Sequence, residues 1–271
     1  MVKFNLMVLF SIFTCSLSAA RVEYVKIYSA SMGREIDCSV VIPETIAQGE
    51  KAPAIYLLHG HGGNYRTWVK DFDTEKLADQ YGVFIISPDG NRNSWYWDSP
   101  IDSTSKYETF VSKELVAYID KQYPTIPTRD SRAISGFSMG GHGALYIAMR
   151  HQETFGAVGS MSGGVDILPF PKSWEMEQYL GTKAKYPKRW FEYSVMGQLH
   201  RLTSSSLEII IDCGREDFFF EVNESLNKAF VYNNIPHTYI IRKGSHNLTY
   251  WQESLPYHVL FFDNYFNKIK N

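Results

Sequence analysis

One stretch constrains this chain more than any other: Ser131-Arg132-Ala133-Ile134-Ser135-Gly136-Phe137-Ser138-Met139-Gly140-Gly141-His142-Gly143-Ala144. A short apolar segment leads into the turn Gly136-Phe137-Ser138-Met139-Gly140, and Ala144-Leu145-Tyr146-Ile147-Ala148-Met149 reads as helix beyond it. G-x-S-x-G between a strand and a helix lifts a serine hydroxyl onto a sharp turn at the end of a buried sheet. The turn demands a strained backbone at Ser138, of the kind that costs about 1–3 kcal/mol and gathers at functional sites. Gly136 and Gly140 fall where strand and helix crowd and a Cβ would clash. The helix that follows points unpaired N–H groups at whatever binds beside the hydroxyl.

A serine hydroxyl is a weak nucleophile until a base takes its proton, and the base works best when a carboxylate orients it. With this elbow, the acid follows the serine along the chain and the histidine follows the acid. Both belong in loops at the carboxyl ends of parallel strands, where such sheets bind ligands. Asp217 follows the run Ile209-Ile210-Ile211, and His246 follows Tyr239-Ile240-Ile241. Asp212 and Glu216 compete with Asp217. Asp212 stands at the strand end before the turn, and Glu216 should face away if Asp217 faces in. His142 sits in the elbow helix and cannot easily reach back to Ser138. His151, His200, His237 and His258 lack the placement.

A tetrahedral oxyanion needs backbone donors. Met139 N–H, just after the nucleophile, is one candidate. His61 N–H is the other, in His59-Gly60-His61-Gly62-Gly63 after the apolar run Ala54-Ile55-Tyr56-Leu57-Leu58. Gly60 and Gly62 give that loop room to approach. His59 and His61 can also be read as a metal pair, but the glycines and the lack of a nearby acidic ligand argue against it. No metal or organic cofactor is expected.

The rest of the chain frames this site. Residues 1–20 read as a secretory signal peptide, with Lys3 as the charged end, an apolar run over 6–13, and Ser18 and Ala20 as the small residues before a cut. The apolar run is shorter than the roughly 20 residues that span a bilayer. Cys15 raises a lipoprotein alternative, for which Phe13-Thr14 are poor neighbours. Export followed by removal of the signal leaves no membrane segment and a secreted or periplasmic catalytic domain over 21–271. Cys38 and Cys213 then remain, each in an apolar strand-like segment, and are expected to be unpaired core residues. A net charge of −2 gives no reason to expect nucleic acid or an anionic membrane as partner.

Segments at 22–28 and 35–42 alternate like an N-terminal β-hairpin turning at Ser31-Met32-Gly33. The continuous apolar run at 54–58 reads as a strand buried on both faces, 83–87 as the next buried strand, and 133–134, 157–160, 207–212 and 238–242 as further strands of the sheet. Helical spacing separates most of them, notably over 76–81, 106–123, 218–232 and 248–266. This rhythm predicts a mainly parallel, doubly wound α/β sheet. Residues 165–206, rich in Trp, Tyr, Lys and Pro, break the rhythm and read as an insertion over the strand ends.

The motifs taken together resemble the esterase D-like branch of the α/β-hydrolases, which includes S-formylglutathione hydrolases, tributyrin esterases and the feruloyl and acetylxylan esterases of carbohydrate esterase family 1. The resemblance is carried by Leu57-Leu58-His59-Gly60-His61-Gly62-Gly63, Pro88-Asp89-Gly90 with Asn93-Ser94-Trp95-Tyr96, the elbow, Cys213-Gly214-Arg215-Glu216-Asp217-Phe218, and Gly244-Ser245-His246 with Trp251. It spans nearly all of the mature chain and implies an α/β-hydrolase fold. It supports Ser138, Asp217 and His246 as a triad, with His61 and Met139 at the oxyanion. It also implies that the 93–98 loop lines the cleft, giving Gly60, Trp95, Asp98 and Trp251 as substrate-binding residues. Packing of Trp95 and Trp97 beneath the insertion is the other reading of those rings. The aromatic that the family often carries two residues after the histidine is here Leu248, which bears on acyl preference and not on the triad.

The expected activity is a secreted serine carboxylesterase acting on small-molecule or polysaccharide-linked esters, with feruloyl or acetyl esters of plant polysaccharide foremost. The alternatives are a general short-chain esterase, a thioesterase like S-formylglutathione hydrolase, and a mycolyltransferase-like acyltransferase. A binding module on a hydrolase fold would typically have lost a catalytic residue. Oligomeric state is not legible.

Overall fold

The computed structural model describes residues 19–270, so the signal peptide reading and Cys15 lie outside the described residues except for Ala19 and Ala20. Strands β1 (Arg21–Ser29) and β2 (Arg34–Ile42) form the expected antiparallel hairpin, with Val25 opposite Cys38. Its turn closes at Gly33, whose φ of 65° favours a residue without a Cβ. The later strands are β3 (Ala54–Leu58), β4 (Phe84–Pro88), β5 (Arg132–Gly136), β6 (Ala157–Met161), β7 (Glu208–Gly214) and β8 (Thr238–Arg242). They join one eight-stranded sheet in the order β1-β2-β4-β3-β5-β6-β7-β8. Only β2 runs against the others, because its pairings with β1 and β4 are antiparallel and the remaining pairings are parallel.

The helices in chain order are α1 (Thr67–Asp71), α2 (Thr74–Tyr81), α3 (Tyr107–Thr109), α4 (Val116–Gln122), α5 (Met139–Arg150), α6 (Glu177–Leu180), α7 (Pro187–Glu192), α8 (Phe220–Tyr232) and α9 (Leu248–Lys270). A π-helical segment, Phe110–Leu115, interrupts the single helix expected over 106–123. The continuous apolar runs have a direct cause. Tyr56, Leu58, Ile134, Val158, Ile209 and Ile211 enter one core, shared with Leu145 and Ile147 of α5. Ile55, Leu57, Ala133, Ala157 and Ile210 enter the other, shared with Leu255, Val259 and Phe262 of α9. Side chains alternate across a strand, so helices on both faces require apolar residues at both parities. Each large side chain so buried contributes about 1.5–3 kcal/mol.

The 165–206 insertion holds α6, α7 and a 3-10 turn at Met196–Arg201, with no named strand among the described residues. It docks through Trp190, which is fully buried, and through the Tyr193 carbonyl, which accepts from Trp97 Nε1–H at 3.1 Å. Cys38 and Cys213 are free and buried, and burial pushes both thiols up.

Two buried histidines make a stability prediction. Desolvation lowers His142 to about 4, and desolvation with the Arg242 charge lowers His258 to about 3. The unfolded chain takes these protons near the ordinary value of about 6.5, so it binds more protons than the native state below that pH. Folding stability is therefore expected to fall as pH drops from about 6.5 towards 4, by several kcal/mol in order of magnitude, and urea unfolding across that range measures it. A flat profile would mean that the two imidazoles charge without cost.

Candidate active site

Ser138 joins β5 to α5 with φ 56° and ψ −119°. Three backbone bonds hold this strained turn. Ser138 N–H donates to the Met161 carbonyl (3.0 Å), and the Ser138 carbonyl accepts from His142 N–H (3.0 Å) and Gly164 N–H (3.3 Å). The glycines on either side are needed for close approach. A Cβ on Gly140 would run into the Leu58 carbonyl, and one on Gly136 into the backbone of Gly140.

The loops after β7 and β8 lie side by side because Cys213 is registered against Ile241 and Gly214 against Arg242. One loop carries Asp217 and the other His246. Ser138 Oγ–H donates to His246 Nε2 at 2.9 Å, and His246 Nδ1–H donates to Asp217 at 2.9 and 3.0 Å. An ionised carboxylate only accepts, which assigns the imidazole proton to Nδ1 and leaves Nε2 free to take one. The Asp217 side chain is wholly buried and is itself held by Phe219 N–H at 2.8 Å.

The competing acids are engaged elsewhere. Asp212 is buried against the Tyr250 hydroxyl and Arg242, and burial pushes its carboxyl up. Glu216 is exposed and accepts from Gly244 N–H, bracing the histidine loop from outside.

Among the described residues, neither His61 N–H nor Met139 N–H is bonded to an acceptor. Met139 opens α5, where the first N–H groups have no helical partner. Gly60 brings the His61 loop against the elbow. A Cβ there would press into the Phe137 ring and stand 3.4 Å from Ser138 Cβ. His59 secures the loop from below. Its Nδ1–H donates to the Gly60 carbonyl and its Nε2 accepts from Gly90 N–H, each at 2.8 Å, and desolvation lowers its pKa. With both nitrogens of His59 engaged by backbone, the metal-pair reading of His59 and His61 fails.

Two of the expected substrate contacts, Trp95 and Asp98, need correction. Trp95 and Trp97 are 1% and 0% exposed, with their rings stacked at 5.6 Å beneath the insertion. Left-handed backbone at Trp95 and Tyr96 (φ 54° and 61°) accompanies this inward turn, so Trp95 is not a wall of the open cleft. Asp98 accepts from the backbone N–H and the hydroxyl of Thr109 and so holds α3. Trp251 stacks on Phe137 (4.4 Å, 14°) and meets the His246 ring at 89° and 4.9 Å, supporting the imidazole.

The aromatic wall lies at residues that the sequence reading did not single out. Phe218 is 54% exposed, with its ring 4.2 Å from that of His246. Trp174, from the insertion, stacks near-parallel to it at 6.0 Å. The triplet Phe218-Phe219-Phe220 directly after Asp217 was the available signal.

Comparison with known proteins gives the family and the fold. The Esterase family model matches residues 29–262. An acetyl esterase of Caldicellulosiruptor saccharolyticus is 25% identical over 225 residues, covering 75% of this chain and 80% of its own. A solved ferulic acid esterase superposes with a TM-score of 0.78 at 26% identity, over 91% of this chain and 98% of its own. The fluorophosphonate-binding serine hydrolase F of Staphylococcus aureus shares the fold, with a TM-score of 0.82 at 18% identity over 91% and 99%.

Proposed function

The chain belongs to the Esterase family and is a serine ester hydrolase, and from that premise we propose that it is an exported enzyme cleaving acetyl or feruloyl esters carried on plant polysaccharide. Ser138 Oγ attacks the ester carbonyl carbon as its proton passes to His246 Nε2. Charge grows on the carbonyl oxygen, and the N–H groups of Met139 and His61 donate to it. Asp217 holds the imidazolium that forms. Nε2 then gives its proton to the departing alkoxide, the C–O bond breaks, and the acyl group stays on Ser138. Water, deprotonated by His246, attacks the acyl carbon and expels Ser138 Oγ, which recovers its proton from Nε2. Every proton and electron pair moves among these side chains, the substrate and water.

The observation that carries the substrate reading is the exposed Phe218 ring against His246. His246 protonates the leaving alcohol, so the alcohol must stand beside that ring. An aromatic face suits the C–H face of a sugar and costs little rotamer entropy to present. Acetyl and feruloyl groups are the acyl parts named for the acetyl esterase relative and the ferulic acid esterase structure. Export rests on residues 1–20, and a cut after Ala20 would leave Arg21, the first residue of β1, at the mature end.

Phe218→Ala is the test. A stacking loss of about 1–2 kcal/mol should lower kcat/KM for acetylated xylo-oligosaccharide roughly 5–30-fold. Ethyl acetate, with the same acyl group and no ring to stack, should lose less than about twofold. Equal losses on both esters would remove Phe218 from the leaving-group side and with it the main support for a sugar ester.

A further inference from the structure

Beside the catalytic trio, one acidic side chain joins three segments around the oxyanion loop. Glu175 lies in the insertion. Its Oε2 accepts from His61 Nε2–H (3.3 Å) and Asn93 Nδ2–H (3.0 Å), and its Oε1 is 3.9 Å from Arg92. Asn93 Oδ1 accepts from the Tyr179 hydroxyl at 2.8 Å, which returns the network to the insertion at α6. The His61 bond holds the Glu175 carboxyl below its usual value.

The backbone that aims this carboxylate is strained. Trp174 and Glu175 both have left-handed φ, 52° and 54°. Such residues cost about 1–3 kcal/mol each and persist only where the surroundings fix them. The Trp174 ring is fixed by Trp95, Phe170 and Phe219. Glu175 returns little stability, since its side chain is 42% exposed and exposed ion pairs contribute about 0–1 kcal/mol. A costly turn that presents an exposed carboxylate is better explained by what the carboxylate holds. His61 stands between Gly60 and Gly62, the latter at φ 79°, in a stretch with little side-chain bulk to stiffen it.

We propose that Glu175 is a positioning residue of the oxyanion site: by gripping the His61 imidazole it keeps the His61 N–H aimed at Ser138, and it couples the insertion to turnover. This rests on the reading of Ser138 as nucleophile and His61 N–H as oxyanion donor.

Losing an oxyanion donor outright costs about 10²–10³ in kcat, so a donor present but loosely held should cost about tenfold. Glu175→Ala should lower kcat for ethyl acetate about tenfold with KM within about twofold, because the donor acts mainly on the transition state. Glu175→Gln, whose amide oxygen can accept both bonds, should stay within about threefold of wild type. His61→Ala removes the same bond, so the double variant should lose about tenfold, where independent effects would multiply to about 100-fold. Rates are taken per site titrated with a fluorophosphonate, which counts folded enzyme with a reactive serine. Multiplying losses, unchanged kcat in Glu175→Ala, or a Gln variant as impaired as the Ala variant would each overturn the positioning role while leaving the serine mechanism standing. Failure of Ser138 to label in active wild-type enzyme would overturn both.

Discussion

Replacing Ser138 with alanine is expected to lower ester hydrolysis by on the order of 10⁴ or more while the protein stays folded. The two halves of that expectation have separate causes. Ser138 Oγ is the group that bonds His246 Nε2 at 2.9 Å, and alanine offers nothing to attack a carbonyl. Whatever rate remains comes from the oxyanion donors and substrate binding alone. The fold survives because main-chain bonds to Met161, His142 and Gly164 hold the elbow, and the crowding that shapes it falls on Gly136 and Gly140. Alanine keeps the Cβ and adds no bulk. Hydrolysis followed by pH-stat, with circular dichroism for the fold, gives both readings. A folded Ser138→Ala protein turning over at near-normal rate would remove Ser138 from the chemistry.

Asp217→Asn should cost about as much, roughly 10⁴, through the proton on the imidazole. Asp217 accepts from His246 Nδ1–H through both oxygens. An asparagine amide can donate to Nδ1 instead, which moves the ring proton to Nε2. Nε2 then cannot take the serine proton. The Asn oxygen can still accept from Phe219 N–H, so the loop after β7 keeps its anchor. Glu216→Gln should lose less than about threefold, since a Gln oxygen can still accept from Gly244 N–H and neither residue touches the imidazole. Asp212→Asn should act on stability, because Asp212 is buried against Arg242 and Tyr250. Rates from the three purified, folded variants rank them. A large loss in Glu216→Gln with a small one in Asp217→Asn would move the acid to Glu216.

The sheet and the trio could be read from the sequence because local rules and the global fold agree there. A parallel strand covered on both faces is built on an apolar run, as at Ala54–Leu58, so its position shows. The elbow needs its two glycines, and the topology then leaves few places for Asp217 and His246. The cleft walls obey no such rule. Whether Trp95 faces the cleft or the core depends on the backbone of one or two residues, and sequence spacing does not encode a φ of 54°. The His61–Glu175 contact spans 114 positions into an insertion that breaks the strand–helix rhythm. The helical spacing over 106–123 was real, but a π-helical segment carries the same apolar face as an α-helix with a shifted period, so the interruption did not show. Phe218 stands in the sequence directly after Asp217, but its spacing does not encode its exposure.

One serine, Ser138, carries the acyl group during turnover. The most direct test is covalent trapping with a fluorophosphonate, followed by peptide mapping by mass spectrometry and an ester assay on the same sample. One adduct per chain is expected, on Ser138, with ester hydrolysis lost in proportion to labelling and no adduct formed by the Ser138→Ala variant. An adduct on another residue, or full hydrolysis by enzyme whose Ser138 is completely labelled, would contradict it.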